Sequence, residues 1–222
     1  MSALTLEIKE RGAERLDLSA LLPLNLVGKK LKDIEAISIG TTRERTTVGD
    51  VFKIKGNDAH TLRLIGTDSS CDRIGRALTE GEILVDGDAG AYVGAGMSGG
   101  KILVKGDAGA STGGSMIGGE IEIGGNAGEY AGGWMVAGTI MIDGKVGRLA
   151  GYGLRRGTLI LAKQPKQLLP TFSDSGKLDF NYLRLLGRQL DKDGCVSKLP
   201  FRARRLMGDM AVLGKGEMLI LA

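Results

Sequence analysis

Between residues 81 and 161 one pattern recurs at a fixed interval, and it limits the possible folds more than any other feature of the chain. Gly81, Gly100, Gly119, Gly138 and Gly157 stand 19 residues apart. After each comes an alternating strand, with Ile83 and Val85, Ile102 and Val104, Ile121 and Ile123, Ile140 and Ile142, and Leu159 and Leu161 on one face. Glu82, Lys101, Glu120 and Thr139 fall on the opposite face, because side chains in a strand alternate with a period of two. A second small-residue signal follows: Gly-Asp-Ala-Gly at 87–90 and 106–109, Gly-Asn-Ala-Gly at 125–128, and Gly-Lys-Val-Gly at 144–147. A third segment ends in the column Met97, Met116, Met135 and Leu154.

Helices do not fit units with several glycines each, since every interior glycine costs roughly 1 kcal/mol. Hairpins need antiparallel neighbours, whereas identical units running in one direction stack most simply in parallel, Ile on Ile and Met on Met. The expected fold class is all-β: a single-stranded right-handed parallel β-helix with 19-residue coils, plus a C-terminal extension containing a short α-helix. The hand comes from the crossover rule for parallel strands. The 37 glycines and the 4% aromatic content suit tight corners and thin packing layers.

Three regions are expected. Residues 1–47, with Leu4, Leu6 and Ile8 in alternation and a Leu-rich stretch behind them, form an N-terminal strand and cap. A cap matters because an open end of stacked strands exposes unpaired backbone groups. Residues 48–162 form the β-helix, with 48–56 read as a first alternating strand. Residues 163–222 form the extension: a connecting arm through Pro165 and Pro170, an amphipathic helix over Phe180–Leu190 with Asp179 as its N-cap and Gly194 beyond it, and a return strand at 216–221 resembling 157–161. Asp33 is expected to cap a short helical turn.

The catalytic inventory is thin. His60 is the one histidine and has no partner in ligand spacing, and Cys71 and Cys195 form no metal motif. Asp88 and Asp107 are explained as turn residues. Asn126 and then Lys145 replace them in later copies, so no charge-dependent role runs through the repeats. Gly94-Ala-Gly96 lacks the following helix that a phosphate-binding loop requires. No apolar run approaches the roughly 20 residues of a membrane span, and no secretory leader is visible, so a cytoplasmic protein is expected, away from membranes.

Charge is unevenly distributed. Residues 145–222 carry 15 Lys or Arg against 6 Asp or Glu, leaving 15 against 20 for residues 1–144. Such asymmetry points to an acidic ligand or partner, or to a solvated basic face. Nucleic acid is not expected, since the basic half has few aromatic side chains on which bases could stack.

Gly-Ala-Gly-Met-Ser-Gly-Gly at 94–100, Gly-Gly-Ser-Met-Ile-Gly-Gly at 113–119 and Gly-Gly-Trp-Met-Val-Ala-Gly at 132–138 resemble the Gly-X-Gly-X-Gly β-helix family. That family includes the C-terminal domain of the glutamate synthase large subunit and the C subunit of formylmethanofuran dehydrogenases. Leu4-Thr-Leu, Val48-Gly-Asp-Val-Phe and the repeats look more like the second group. The tail, with Arg202-Ala-Arg-Arg-Leu-Met-Gly-Asp209 and Gly214-Lys-Gly-Glu-Met-Leu, is similar to the C subunit of the bacterial formyltransferase/hydrolase complex.

The resemblance implies a non-catalytic structural subunit in the one-carbon metabolism of methylotrophs. Its partners would be hydrolase and formyltransferase subunits, which move a formyl group from formyl-tetrahydromethanopterin to a methanofuran-type carrier and release formate. It implies no cofactor or metal bound by this chain. The tungsten or molybdenum dehydrogenase is the alternative, and a glutamate synthase-like scaffold domain another. Because methanofuran carriers have glutamate-containing tails, Arg155, Arg156, Lys163, Lys166, Arg202, Arg204 and Arg205 are candidates to hold such a tail, arginine being suited to carboxylates. Leu84, Leu103, Met141 and Ile160 alternate to the outside of the strands, so a partner or the C-terminal segment is expected to cover them.

Overall fold

A computed structural model describes residues 2–9, 14–42, 45–186 and 199–221. In chain order its strands are β1 (Ala3–Ile8), β2 (Leu16–Asp17), β3 (Phe52–Lys55), β4 (Asp58–Ile65), β5 (Cys71–Asp72), β6 (Glu82–Asp86) and β7 (Lys101–Val104). They continue as β8 (Ile117–Ile123), β9 (Ala137–Ile142), β10 (Thr158–Leu161), β11 (Ser173–Asp179), β12 (Arg202–Gly208) and β13 (Gly216–Leu221). Eleven of them form one sheet, ordered β11-β12-β13-β10-β9-β8-β7-β6-β4-β1-β3, which is parallel from β1 through β13 and antiparallel at both edges.

The register follows the sequence period. Ile83 pairs with Ile102, Ile102 with Ile121, Ile121 with Ile140 and Ile140 with Leu159. Each of these is fully buried, as is the column Met97, Met116, Met135 and Leu154. The leading glycine of each repeat takes positive φ, from +77° at Gly100 to +98° at Gly138. At Gly119 and Gly138 it also makes room for the methionine of the unit two before. A Cβ on Gly119 would lie 2.6 Å from Met97 Cε, and one on Gly138 2.6 Å from Met116 Cε. The glycine and methionine columns are therefore two halves of one packing contact.

Two further ladders tie the repeats together. At the corner after the strand, parallel bridges link Ala89 to Ala108, Ala108 to Ala127 and Ala127 to Val146. Beside them the Asx side chains reach across repeats. The backbone N–H of Asp107 donates to Asp88 Oδ1 at 2.8 Å, that of Asn126 to Asp107 Oδ1 at 2.7 Å, and that of Lys145 to Asn126 Oδ1 at 2.8 Å. These residues are turn formers, as expected, and they also bond one rung to the next.

The third segment of each repeat places alternate residues in the left-handed region. Tyr92, Gly94 and Gly96 form one triplet, Ser111, Gly113 and Ser115 the next, and Tyr130, Gly132 and Trp134 a third. The outer members donate to the following repeat, Tyr92 N to Ala110 O and Trp134 N to Tyr152 O. The central glycine donates to the preceding one, Gly94 N to Ile74 O.

The ends differ from expectation in four places. Residues 48–51 form a helical turn (Val48–Val51) closed by a capping box between Thr47 and Asp50, and only Phe52–Lys55 is extended. The reciprocal Thr47–Asp50 bonds favour the turn over the alternation that Val48, Phe52 and Ile54 suggest. The second difference lies at 173–179 and 202–208, where the connecting arm and the Arg-rich run form the antiparallel strands β11 and β12. Third, Asp179 ends β11 and its carboxylate is taken by Arg202 at 2.8 Å, while helix covers 181–186. The rest of the expected helix, with Gly194 and Cys195, lies outside the described residues. Fourth, Asp33 is not the cap expected of it but lies in the first turn of the short helix Leu31–Glu35, whose N-cap is Lys30. The return strand β13 adds in parallel to β10, with Thr158 opposite Glu217.

The extension covers part of the outer face of the sheet. Met141, Ile160 and Leu219 pack with Leu183, Leu186 and Ala203 in a second apolar cluster. The expected cover over Met141 and Ile160 is thus this chain's own helix and β12. Glu122, which interrupts that apolar column, is buried and ion-paired with Lys101 at 2.9 Å.

Candidate binding surfaces

The structure divides the seven cations singled out in the sequence. Arg202, Arg204 and Arg205 lie on β12 and pair with acids of the adjacent strands: Arg202 with Asp179 at 2.8 Å, Arg204 with Asp174 at 2.7 Å and Arg205 with Glu217 at 2.9 Å. Hydrogen bonds from Arg204 and from the Gly176 N–H hold the Asp174 carboxyl below the usual carboxylate range. Each of these three charges is offset by an adjacent acid. Arg155, Arg156, Lys163 and Lys166 are exposed and have no ion-pair partner among the described residues.

Lys166 reaches a cleft that sequence reasoning missed. The cleft, about 760 Å³, opens at the corner after the strand and is lined by Lys145, Arg148, Lys166 and Gln167 above the backbone of Asn126 and Gly147. Three cations without ion-pair partners among the described residues thus converge where the Asx ladder ends. The signal was present in the sequence, since Lys145 breaks the Asp88, Asp107, Asn126 column. Its convergence with Lys166 depends on the path of the chain after Leu161, which no periodicity encodes. Arg155 and Arg156 occupy the other corner, before the strand.

A second surface lies on the side of the left-handed triplets. Tyr130 stacks on Trp134 with centroids 5.7 Å apart and planes 10° from parallel, and Tyr152 meets Trp134 edge-on at 5.3 Å. Beside Trp134 runs a groove of about 480 Å³ floored by Ala95, Gly96, Gly114 and Ser115 and closed at its far end by Arg73, Arg76 and Tyr92. His60 is exposed. Among the described residues no three His, Cys, Asp or Glu side chains converge in a way that could hold a metal ion. No helix among them is long and apolar enough to cross a membrane.

No protein-family model matches the chain. The chain is 38% identical over 86 residues to the C subunit of the formyltransferase/hydrolase complex Fhc of Methylorubrum extorquens, covering 39% of this chain and 32% of that protein. It is 36% identical over 100 residues to the C subunit of the tungsten-containing formylmethanofuran dehydrogenase 2 of Methanothermobacter marburgensis, covering 43% and 37%. The matched region thus spans about a third of the length of these curated relatives. A solved structure extends the likeness to the whole chain. A chain of the formyltransferase/hydrolase complex FhcABCD from M. extorquens, crystallised with methylofuran, superposes with a TM-score of 0.65 at 34% identity, covering 98% of this chain and 99% of that one. The chain belongs to the family of Fhc and formylmethanofuran dehydrogenase C subunits. The resemblance to the C subunits of formylmethanofuran dehydrogenases and of the formyltransferase/hydrolase complex is thereby borne out.

Proposed function

We propose that this member of the C-subunit family is a non-catalytic structural component of a formyltransferase/hydrolase complex. Its repeats wind as a right-handed parallel β-helix over residues 48–162, between the cap at 1–47 and the extension at 163–222. That rigid body holds hydrolase and formyltransferase subunits in register in the cytoplasm. Those partners move a formyl group from formyl-tetrahydromethanopterin to a methanofuran-type carrier and release formate. The observation that carries the reading is the likeness to a chain of FhcABCD over nearly the full length of both chains. The three parallel ladders add support, because a body bonded between every pair of repeats suits a spacer.

The tungsten dehydrogenase is the second reading, favoured by the 36% identity to the archaeal protein. Purifying the tagged chain from its own cells separates the two. Co-purification with formyltransferase and hydrolase subunits supports the first reading, a tungsten-bearing subunit supports the second, and recovery of the chain alone refutes both.

The carrier's anionic tail fits the basic corner. Lys145, Arg148 and Lys166 line a cleft open to solvent, with Lys163 nearby in the chain, and their charges are not offset by ion pairs as those of Arg202, Arg204 and Arg205 are. Reversing Lys145, Arg148 and Lys166 to Glu is expected to weaken retention of a polyglutamate peptide and to remove its salt dependence. Unchanged affinity would refute the tail site.

A further inference from the structure

The side of the repeats that carries the left-handed triplets has features the spacer role does not require. Trp134 and Tyr152 are 46% and 43% exposed, and Ile117, in the repeat below, is 54% exposed. The loop after β12 is fastened to the repeat of Tyr152, with Asp209 N donating to Leu154 O and Gly153 N donating to Asp209 Oδ2, and it exposes Met210, Val212 and Leu213. Single exposed apolar residues carry no message, whereas a contiguous ring cluster bordering a groove marks an interaction site.

The backbone strengthens the point. Trp134 has φ +55° and Tyr130 +60°, a region that costs an L-residue strain. The positions equivalent to Trp134 in neighbouring repeats hold Gly96, Ser115 and Gly153, so the fold accepts small residues there. A tryptophan held in a strained conformation and half exposed, where glycine suffices, serves something outside the chain. A Cβ at Gly96 would meet nothing within 4 Å, so the groove floor is open although a side chain has room there.

Charge narrows the occupant. Arg76 stands at one end of the groove, and Arg155 and Arg156 stand one repeat beyond Trp134; none has an ion-pair partner among the described residues. A second copy of the chain would set these arginines against one another.

We propose that this surface docks an acidic segment of a partner protein. An apolar or aromatic anchor of that segment seats in the groove against Trp134, and carboxylates flanking the anchor meet Arg76 on one side and Arg155 and Arg156 on the other. Buried aromatic anchors inside an arginine-bearing rim are the arrangement that concentrates binding energy at protein interfaces. The proposal rests on the structural-subunit reading above and names the face it uses.

The test measures binding of the full-length chain to purified formyltransferase and hydrolase subunits. Trp134→Ala removes the anchor's platform, and Arg76→Glu reverses the rim. Gly96→Trp fills the groove at a backbone position where the fold already carries a tryptophan one repeat pair away. Thermal melting reports whether each variant stays folded. The expected result is at least a ten-fold loss of affinity for Trp134→Ala and Gly96→Trp, and a loss for Arg76→Glu that high salt abolishes. If wild type binds and all three folded variants bind equally well, the docking face is refuted and the structural-subunit reading stands. If wild type binds neither partner, both fail. A dimer of the isolated chain that Trp134→Ala dissolves would overturn the acidic partner in favour of a second copy.

Discussion

Replacing Gly109 by alanine tests whether the corner glycines are required by close approach of successive repeats. Gly109 does not have positive φ, so alanine has no backbone objection there. Its Cβ, however, would lie 2.6 Å from the Gly90 carbonyl carbon and 2.7 Å from Ala91 N. That is roughly 1 Å inside the 3.5–4.0 Å at which carbon atoms rest. The colliding atoms are backbone, so relief requires moving one repeat away from the next. That movement breaks the Gly109 N to Gly90 O bond of 2.9 Å and strains its neighbours. One hydrogen bond is worth about 1 kcal/mol net, and overpacking costs about 1–3 kcal/mol, so the expected loss is about 3 kcal/mol, or about 10²-fold in the folded to unfolded ratio. Gly96→Ala is the internal control. Its φ of +68° is unfavourable, but its Cβ meets nothing, so about 1 kcal/mol is expected. Urea titration followed by far-UV circular dichroism gives both midpoints. A Gly109→Ala midpoint equal to wild type, or equal to that of Gly96→Ala, would refute the requirement for close approach.

Other perturbations reach other layers of the structure. Asp107→Ala removes the acceptor for Asn126 N and is expected to cost about 1 kcal/mol, whereas Asp107→Asn keeps an acceptor oxygen and stays near wild type in thermal melting. Leu183→Ala opens a cavity between the 181–186 helix and Met141, Ile160 and Leu219, with an expected loss of about 2–4 kcal/mol by urea titration. Burial pushes the Asp86 carboxyl up, but hydrogen bonds from Lys105 and Arg63 outweigh it and hold the group below its ordinary value. A depressed carboxyl contributes stability that is complete above about pH 4 and is lost as pH falls through its folded value. Asp86→Asn should therefore lower the unfolding midpoint near neutral pH and flatten its fall towards about pH 3; an unchanged acid limb would count against the pairing. Arg204→Glu separates structural from binding roles. It sets two acids together at Asp174 and is expected to lower the melting temperature while leaving polyglutamate affinity unchanged, as titration of a polyglutamate peptide would report.

Periodicity made the parallel part of the fold legible. A 19-residue interval with Ile on Ile specifies both strand direction and register, and the structure pairs Ile102 with Ile121 and Ile121 with Ile140 as the alignment of repeats requires. The return strand was legible for the same reason, since Gly216-Glu-Met-Leu repeats the start of β10. The antiparallel edges were not. β11 reads Ser-Asp-Ser-Gly-Lys-Leu-Asp and is exposed along its length, so no burial pattern marks it as a strand. β3 follows a capping box whose two hydrogen bonds are local and outweigh the alternation around them.

The same distinction explains the candidate sites. Arg202, Arg204 and Arg205 read as free charge because their acids, Asp179, Asp174 and Glu217, are 23, 30 and 12 residues away and meet them only when the strands pair. Lys145 and Lys166 converge through the irregular chain after Leu161. The ring cluster combines Tyr130 and Trp134 of one repeat with Tyr152 of the next, at a position where the earlier repeats hold Ala95, Gly114 and Gly133, so no column of like residues announced it.

A chain that holds catalytic subunits together and does no chemistry itself has a signature in reconstitution. The most direct measurement is formate release from formyl-tetrahydromethanopterin and carrier by purified formyltransferase and hydrolase subunits, with and without the full-length chain. The proposed role predicts no formate from the chain alone and strong stimulation when it joins the other two, in parallel with their co-migration as one assembly. Formate release by the isolated chain, or undiminished release by the other subunits in its absence, would contradict it.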